Sequence, residues 1–359
     1  MRPGLASDVF EAQVRGRRRA WLSWSARAVS AAWKAAVAVA CVLHPLSAVL
    51  LAGWVSRVMQ RTAVQAWWRQ VPRPYRKLIR FRDAARHVPG WADWAAWPNW
   101  LLCQQPMADL RAFRVRRLFR GVWENARRGV EMTATTAAAL ALPAALLASA
   151  WIARRDAWAA DPARLRQEAG VFALVAGLPF TLVMFHVPMA QARVAVTGEW
   201  RRFTDFSLVR RVVRRRWLRC TLLAVAQASA VAATPGLHAL PPMAAAAWIF
   251  LAFALLRWAA AAIYASAISH MLATGEVHPS ELAPAERLAF PPELIANADA
   301  AARWTRRDAV LAWTLSAPFR AACAVVVLAA WTAALAFLLQ HAHAARDWAW
   351  WPAVWLPLR

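Results

Sequence analysis

The feature that most constrains this chain is a series of long apolar stretches separated by basic ones. A helix needs about 20 mostly apolar residues to cross the hydrocarbon core of a bilayer. Stretches of about that length cover residues 35–55, 132–152, 169–192, 218–235, 242–270 and 321–340. They predict an all-α fold: a polytopic integral membrane helical bundle of about five to six membrane segments, with amphipathic interfacial helices.

Composition supports this prediction and excludes two other classes of protein. Hydrophobic residues make up 60% of the 359-residue chain, yet 44 Lys and Arg against 19 Asp and Glu give a net charge of +25. A soluble nucleic-acid binder would be more polar, and a disordered chain would be less hydrophobic. Basic loops beside membrane segments account for both the high hydrophobic fraction and the positive net charge. We therefore expect anionic membrane lipids as partners and no nucleic acid. The Arg-rich, Ala-rich and Trp-rich composition, with its 24 Trp, is typical of a GC-rich bacterial genome and predicts a multi-pass protein of the bacterial inner (cytoplasmic) membrane.

Arginine counts in the loops predict the topology. The stretches 56–130 and 190–219 are strongly basic, so the positive-inside rule places both in the cytoplasm. The less basic segment 153–168 is then outside.

Along the chain we distinguish five regions. They are a basic amphipathic N-terminal segment (1–34), a re-entrant or spanning segment (35–55), a basic Trp-rich cytoplasmic or interfacial region (56–131), a transmembrane helical domain (132–340) and a Trp-rich C-terminal tail (341–359).

The stretch 35–55 leaves two interpretations open, because both of its flanks are basic. Either the N-terminus is translocated, or the stretch enters the membrane and returns as a broken hairpin. Pro45, next to His44, lies near its centre and removes a helical hydrogen bond there, which favours the hairpin.

Two further patterns concern the membrane surface. The segment 203–216 places apolar residues between arginines, which predicts a helix lying on the cytoplasmic leaflet. The candidate lipid-headgroup contacts are Arg193, Arg211, Arg214, Arg215 and Arg216. Trp91, Trp94, Trp97 and Trp100 recur at three-residue spacing. The first three share one face of a second candidate interfacial helix, which Pro98 ends. Stacking of nucleic-acid bases on these rings is the alternative interpretation.

The tripeptide Thr-Gly-Glu occurs at 197–199 and again at 274–276, each time after a long apolar stretch. Glycine commonly ends helices because it adopts the left-handed conformation without strain. Two helix C-caps are therefore the simpler interpretation, and a duplicated helical hairpin is the alternative.

The motifs of catalysis are missing from the sequence. The glycines are too widely spaced for a phosphate-binding loop, a dinucleotide fingerprint or a nucleophile elbow, and neither HExxH nor CxxC occurs. We therefore expect no enzyme activity, no cofactor and no metal. The candidate segments also lack Asp and Glu, which ion-coupled transporters commonly place inside the membrane.

One charge lies well inside an apolar stretch, at Arg257. It is a candidate intramembrane charge that binds an anion or a lipid phosphate. The alternative is that its long side chain reaches the headgroups beside Trp258.

The segment Val187-Pro188-Met189-Ala190-Gln191-Ala192-Arg193, followed by Thr197-Gly198-Glu199-Trp200-Arg201, resembles an uncharacterised family of bacterial multi-pass membrane proteins. The resemblance covers residues 187–235 and implies a helical membrane fold, without an activity. We therefore expect an integral membrane protein without a catalytic site. Its expected role is that of an accessory or scaffold subunit that contacts other membrane subunits. The alternative is a transporter or channel for a small anionic or amphipathic solute, built on Arg257.

Overall fold

The computed structural model describes residues 35–70, 115–290 and 316–342, together with residues 29, 32 and 33. These residues form an all-α bundle without a strand, which confirms the predicted fold class. The α-helices described here are α1 (Pro45–Trp68), α2 (Val115–Ala160), α3 (Pro162–Thr197), α4 (Phe206–Arg215), α5 (Trp217–Ala232), α6 (Pro242–Ala273), α7 (Pro284–Ala289) and α8 (Ala317–Ala342). Short 3₁₀ turns cover Trp200–Thr204, Thr234–Ala239 and Pro279–Glu281. The predicted Trp-rich surface helix at 91–100 lies outside the described residues, as do most of regions 1–34 and 341–359.

Four helices are long and apolar enough to cross a membrane, so the chain is a membrane protein. These are parts of α2, α3, α6 and α8, namely Gly121–Arg154, Ala163–Thr197, Pro242–Ala273 and Ala317–Gln340. They contain four of the six apolar stretches found in the sequence. The stretch 218–235 forms α5, whose 16 residues make it about 24 Å long, shorter than the hydrocarbon core of about 30 Å.

The remaining stretch, 35–55, is not one continuous helix. Residues 35–42 are helical, the chain turns at Leu43 and His44, and a new helix, α1, starts at Pro45. A proline at this first position loses no helical hydrogen bond, because the first N–H groups of a helix have no partner within it. Residues before the turn (Ala38, Val42) and after it (Leu51, Trp54) share one buried cluster with α6. The break expected at Pro45 is therefore present, and α1 continues to Trp68.

The helices α1 and α2 approach each other closely because two glycines lie at their contact. A Cβ atom on Gly53 would lie 1.8 Å from the backbone oxygen of Asn125, and one on Gly129 would lie 1.9 Å from that of Val49. Small residues of this kind commonly allow helix backbones to meet in membrane proteins.

Both Thr-Gly-Glu tripeptides lie at the C-terminal end of a helix, as the sequence predicts. Gly198 follows α3 with φ 70°, and Gly275 follows α6 with φ 67°. Only glycine adopts this left-handed conformation freely. The N–H of Gly198 donates to the carbonyl of Val194 at 2.8 Å, which satisfies one of the last carbonyls of α3.

Buried clusters show which loops lie at the same end of the bundle. One large cluster joins the C-terminal halves of α1, α3 and α6 to α4 and to the segment 277–290. We call this the basic end. A separate cluster contains Trp158, Leu165 and Leu339, so the α2–α3 turn and the end of α8 lie together. This grouping agrees with the sides assigned from arginine counts, and the side that faces the cytoplasm remains a prediction.

Candidate functional site

At the basic end, α4 packs into the protein core. Its residues Leu208, Val209 and Val212 are buried in the large cluster, together with Val277 and Leu282. The prediction that this apolar stripe lies on the membrane surface is therefore wrong. The periodicity of an amphipathic helix shows only that one face meets an apolar partner. Here the partner is protein, because α3 and α6 extend far enough to provide apolar surface for α4.

Arg193, near the end of α3, is enclosed by protein. Its side chain has no exposed surface, its Nη1 lies 2.6 Å from the Asp205 carboxylate, and its Nε lies 3.5 Å from the Glu286 carboxylate. The predicted contact of Arg193 with lipid headgroups is thus replaced by two ion pairs inside the protein. Tertiary packing is again the reason, because the chain segments that follow α3 and α6 fold back over the Arg193 side chain.

Glu286 is also fully buried, and its two oxygens have different partners. The hydroxyl of Tyr264 donates to one of them. The backbone N–H of Ala283 donates to the other at 2.8 Å, at the start of α7. We call Arg193, Asp205, Tyr264 and Glu286 the Arg193 cluster. It connects α3, α6 and α7 to the start of α4.

Asp205 is the only partly exposed member of the Arg193 cluster. Its burial acts to raise the pKa of its carboxyl. The Ser207 hydroxyl and the Arg193 guanidinium act in the opposite direction and together hold the pKa below the usual value. Asp205 is therefore ionised whenever the protein is near neutral pH, and the ion pair with Arg193 is present.

A second set of polar side chains joins α1, α2 and α3. Arg57 donates to the Asn125 side chain at 2.9 Å. Gln60 donates to the Val196 carbonyl at 3.2 Å, and Arg128 donates to the Ala195 carbonyl at 3.3 Å. These two carbonyls belong to the last turn of α3, where backbone acceptors have no partner within the helix.

This set was not predicted from the sequence, although its residue spacing contains a signal. Arg57 and Gln60 are three residues apart, as are Asn125 and Arg128. Residues at that spacing share one face of a helix.

A cavity of about 400 Å³ opens at the basic end. It lies where the end of α1, the corner between α4 and α5, and the last turns of α6 meet. It is lined by Gln70, Arg216, Ser266, Ser269, His270, Ala273 and Thr274. Sequence reasoning singled out Arg216 among these residues.

Three arginines surround this cavity. Arg216 donates to the backbone carbonyl of Ser266 at 3.3 Å, and Arg219 lies 3.4 Å from the Ser266 hydroxyl. Arg215 lies 3.1 Å from Nδ1 of His270. Burial lowers the pKa of Arg216, and the positive charges of Arg219 and Arg215 lower it further. Three positively charged side chains are therefore concentrated around the cavity.

The other two predicted arginines of α4 differ from each other. Arg211 pairs with the Glu281 carboxylate at 2.5 Å and donates to the Glu276 carbonyl at 3.2 Å. Its guanidinium lowers the pKa of the Glu281 carboxyl. Arg214 is exposed. Arg211, Arg215 and Arg216 thus contact the C-terminal end of α6 and the segment that follows it. The side chain of Arg214 lies on the surface.

Arg257 lies apart from this cavity. It is near the middle of α6, nine residues before Ser266, a separation of about 14 Å along a helix. Its guanidinium carbon lies 5.3 Å from the centre of the Phe253 ring, within reach of a cation–π contact. Arg257 and the cavity are therefore two separate candidate sites.

Comparisons with protein-family models, with curated proteins and with solved structures give no match. The resemblance noted over residues 187–235 accordingly remains an expectation from the sequence.

Proposed function

We propose that this protein is a non-enzymatic accessory or scaffold subunit of a complex in the bacterial inner membrane. The observation that supports the proposal is the small buried fraction of its apolar helices. In the most apolar window of α2 only 11% of residues are buried, against 28% in those of α3, α6 and α8. Faces of this kind need lipid or another membrane protein to cover them.

The helix α2 is the best candidate for the contact with a partner. It has 46 residues, a length of about 69 Å, which is more than twice the thickness of the hydrocarbon core. Leu142 and Ile152, on its apolar part, are 64% and 69% exposed. Trp123, on its basic part, is also exposed. A partner along α2 would therefore meet it both inside the membrane and beyond.

Anionic lipids are the second class of partner in this proposal. Arg210 and Arg214 are exposed on α4, at the basic end. A basic side chain close to an anionic leaflet contributes about 1 kcal/mol to membrane association.

Site-specific photo-crosslinking in native membranes tests the scaffold role. A photoreactive residue at Leu142 or Ile152 should form adducts with another protein, since both side chains point away from the bundle. The matched control is Ala150 on the same helix, which is buried and should react only within the chain. Adducts with lipid alone at both exposed positions, together with a monomeric mass in native mass spectrometry, would refute the scaffold role.

A second candidate function is transport of a small anionic or amphipathic solute. The observation that favours it is that the Nη1 atom of Arg257 is buried without a hydrogen-bond partner among the described residues. Water or an anion would satisfy it. Arg257→Lys keeps the charge but loses the planar fork, whereas Arg257→Leu loses both. Loss of function in both variants at normal expression supports this candidate, and wild-type behaviour of both removes it.

A further inference from the structure

The cavity at the basic end has one buried donor without an acceptor among the described residues, and further donors at its open side. The Nε of Arg216 is buried and has no hydrogen-bond partner among the described residues. Gln70 uses one amide hydrogen for the Ser269 hydroxyl at 2.9 Å, and its second hydrogen remains. The Ser266 hydroxyl accepts from Arg219 and keeps its own hydrogen for another acceptor. A buried donor such as the Arg216 Nε is costly unless an acceptor from outside the chain binds it, whereas the exposed amide of Gln70 also meets water.

Around the cavity, arginines outnumber carboxylates among the described residues. Among the described residues, the carboxylate nearest to these arginines is that of Glu276, 3.8 Å from the Nε of Arg215. Neither Arg216 nor Arg219 has a carboxylate within 4 Å in the part of the chain that the structure describes. The lowered pKa of Arg216, caused by burial and then by Arg219 and Arg215, reflects the cost of holding these charges together. A bound anion would relieve that cost.

We propose that this cavity binds the phosphate group of a phosphate ester. The planar fork of Arg216 matches two phosphate oxygens, while Arg219, Ser266 and Gln70 supply further donors. The cavity is open on one side, which leaves room for the group attached to the phosphate. A lipid headgroup and a soluble phosphate ester share this chemistry. The site does not depend on the scaffold role, because the chain itself provides all of these groups.

Binding to the full-length protein in a neutral detergent tests the site. One probe is dihexanoyl phosphatidic acid, with dihexanoylglycerol as its phosphate-free control. The other is glycerol 3-phosphate, the corresponding soluble ester. Two variants change the site in different ways: Arg216→Gln removes the fork, and Ala273→Phe fills the cavity while keeping every charge. Arg210→Gln is the matched control, since it removes an exposed arginine from α4, the helix that ends directly before Arg216.

We expect wild type and Arg210→Gln to bind at least one phosphate probe equally well. Arg216→Gln and Ala273→Phe should bind it about tenfold more weakly or worse, as loss of charge-assisted hydrogen bonds implies. Binding of phosphatidic acid alone identifies a lipid headgroup, and binding of both probes identifies a general phosphate-ester site. Absence of binding by wild type would overturn the proposal, as would equal weakening in Arg210→Gln and Arg216→Gln. Should Arg216→Gln not fold, Ala273→Phe decides.

Discussion

The Asp205 carboxylate lies 2.6 Å from Nη1 of Arg193, a side chain with no exposed surface. Asp205 precedes α4, and Arg193 is one turn before the end of α3, so this contact fixes how the chain leaves the bundle. Glu286 brings a second carboxylate to the same guanidinium at 3.5 Å. Removal of one member of a buried ion pair leaves its partner charged without compensation.

The first prediction follows from this buried charge. Arg193→Met should lower the free energy of unfolding by about 3–5 kcal/mol, because Glu286 then remains buried without its cation. The double variant Arg193→Met, Glu286→Gln should be more stable than Arg193→Met alone. The measurement is denaturant unfolding in mild detergent, with the exposed Arg210→Gln as control. Equal stability of Arg193→Met and Arg210→Gln would contradict the buried ion pair.

The second prediction concerns acid pH. The folded-state pKa of Asp205 lies below its ordinary value of 3.8, so its ion pair stabilises the fold above that pH. The stabilisation is lost as pH falls through the folded-state pKa. The difference in melting temperature between wild type and Asp205→Asn should therefore be largest near neutral pH and shrink below about pH 4. A difference that stays constant through this range would show that the charge of Asp205 contributes nothing.

The third prediction concerns the contact between α1 and α2. Gly53→Ala should destabilise the protein, since its Cβ would lie 1.8 Å from the Asn125 backbone oxygen and the two helices would have to separate. Gly170→Ala on α3 is the matched control, because a Cβ there meets nothing within 4 Å. It should be neutral or stabilising by up to about 1 kcal/mol, as alanine favours helix more than glycine does. Thermal unfolding of both variants compares them directly, and equal melting temperatures would argue against the close helix contact.

The fourth prediction concerns topology. In a background without the native cysteines, Arg154→Cys should react with a membrane-impermeant thiol reagent added to intact spheroplasts. Arg202→Cys should react only after the membrane is opened, since its loop is assigned to the cytoplasm. Both side chains are partly exposed, so burial does not prevent either reaction. Labelling of position 202 from outside would reverse the assignment.

Much of the candidate site was out of reach of sequence reasoning. The sequence identified Arg216, which lines the cavity, and Arg211 and Arg215 beside the end of α6. It could not identify Gln70 or Ser266, because their role depends on α1 and α6 ending side by side. The hydrogen bond from the Trp67 indole to the Ala265 carbonyl, at 2.9 Å, is one contact that holds these ends together.

What the sequence by itself determined is local. The length of the apolar stretches predicted the helices that are long enough to cross a membrane. Pro45 predicted the break before α1, and Gly198 and Gly275 predicted helix ends. Each of these follows from the conformational limits of single residues or from the length of a hydrophobic run. Only the tertiary structure decided what the arginines contact. The sequence pattern of an Arg followed by an amphipathic helix is the same whether the Arg contacts a lipid headgroup or a buried carboxylate. Arg193 contacts the carboxylates of Asp205 and Glu286, which are 12 and 93 residues away in sequence.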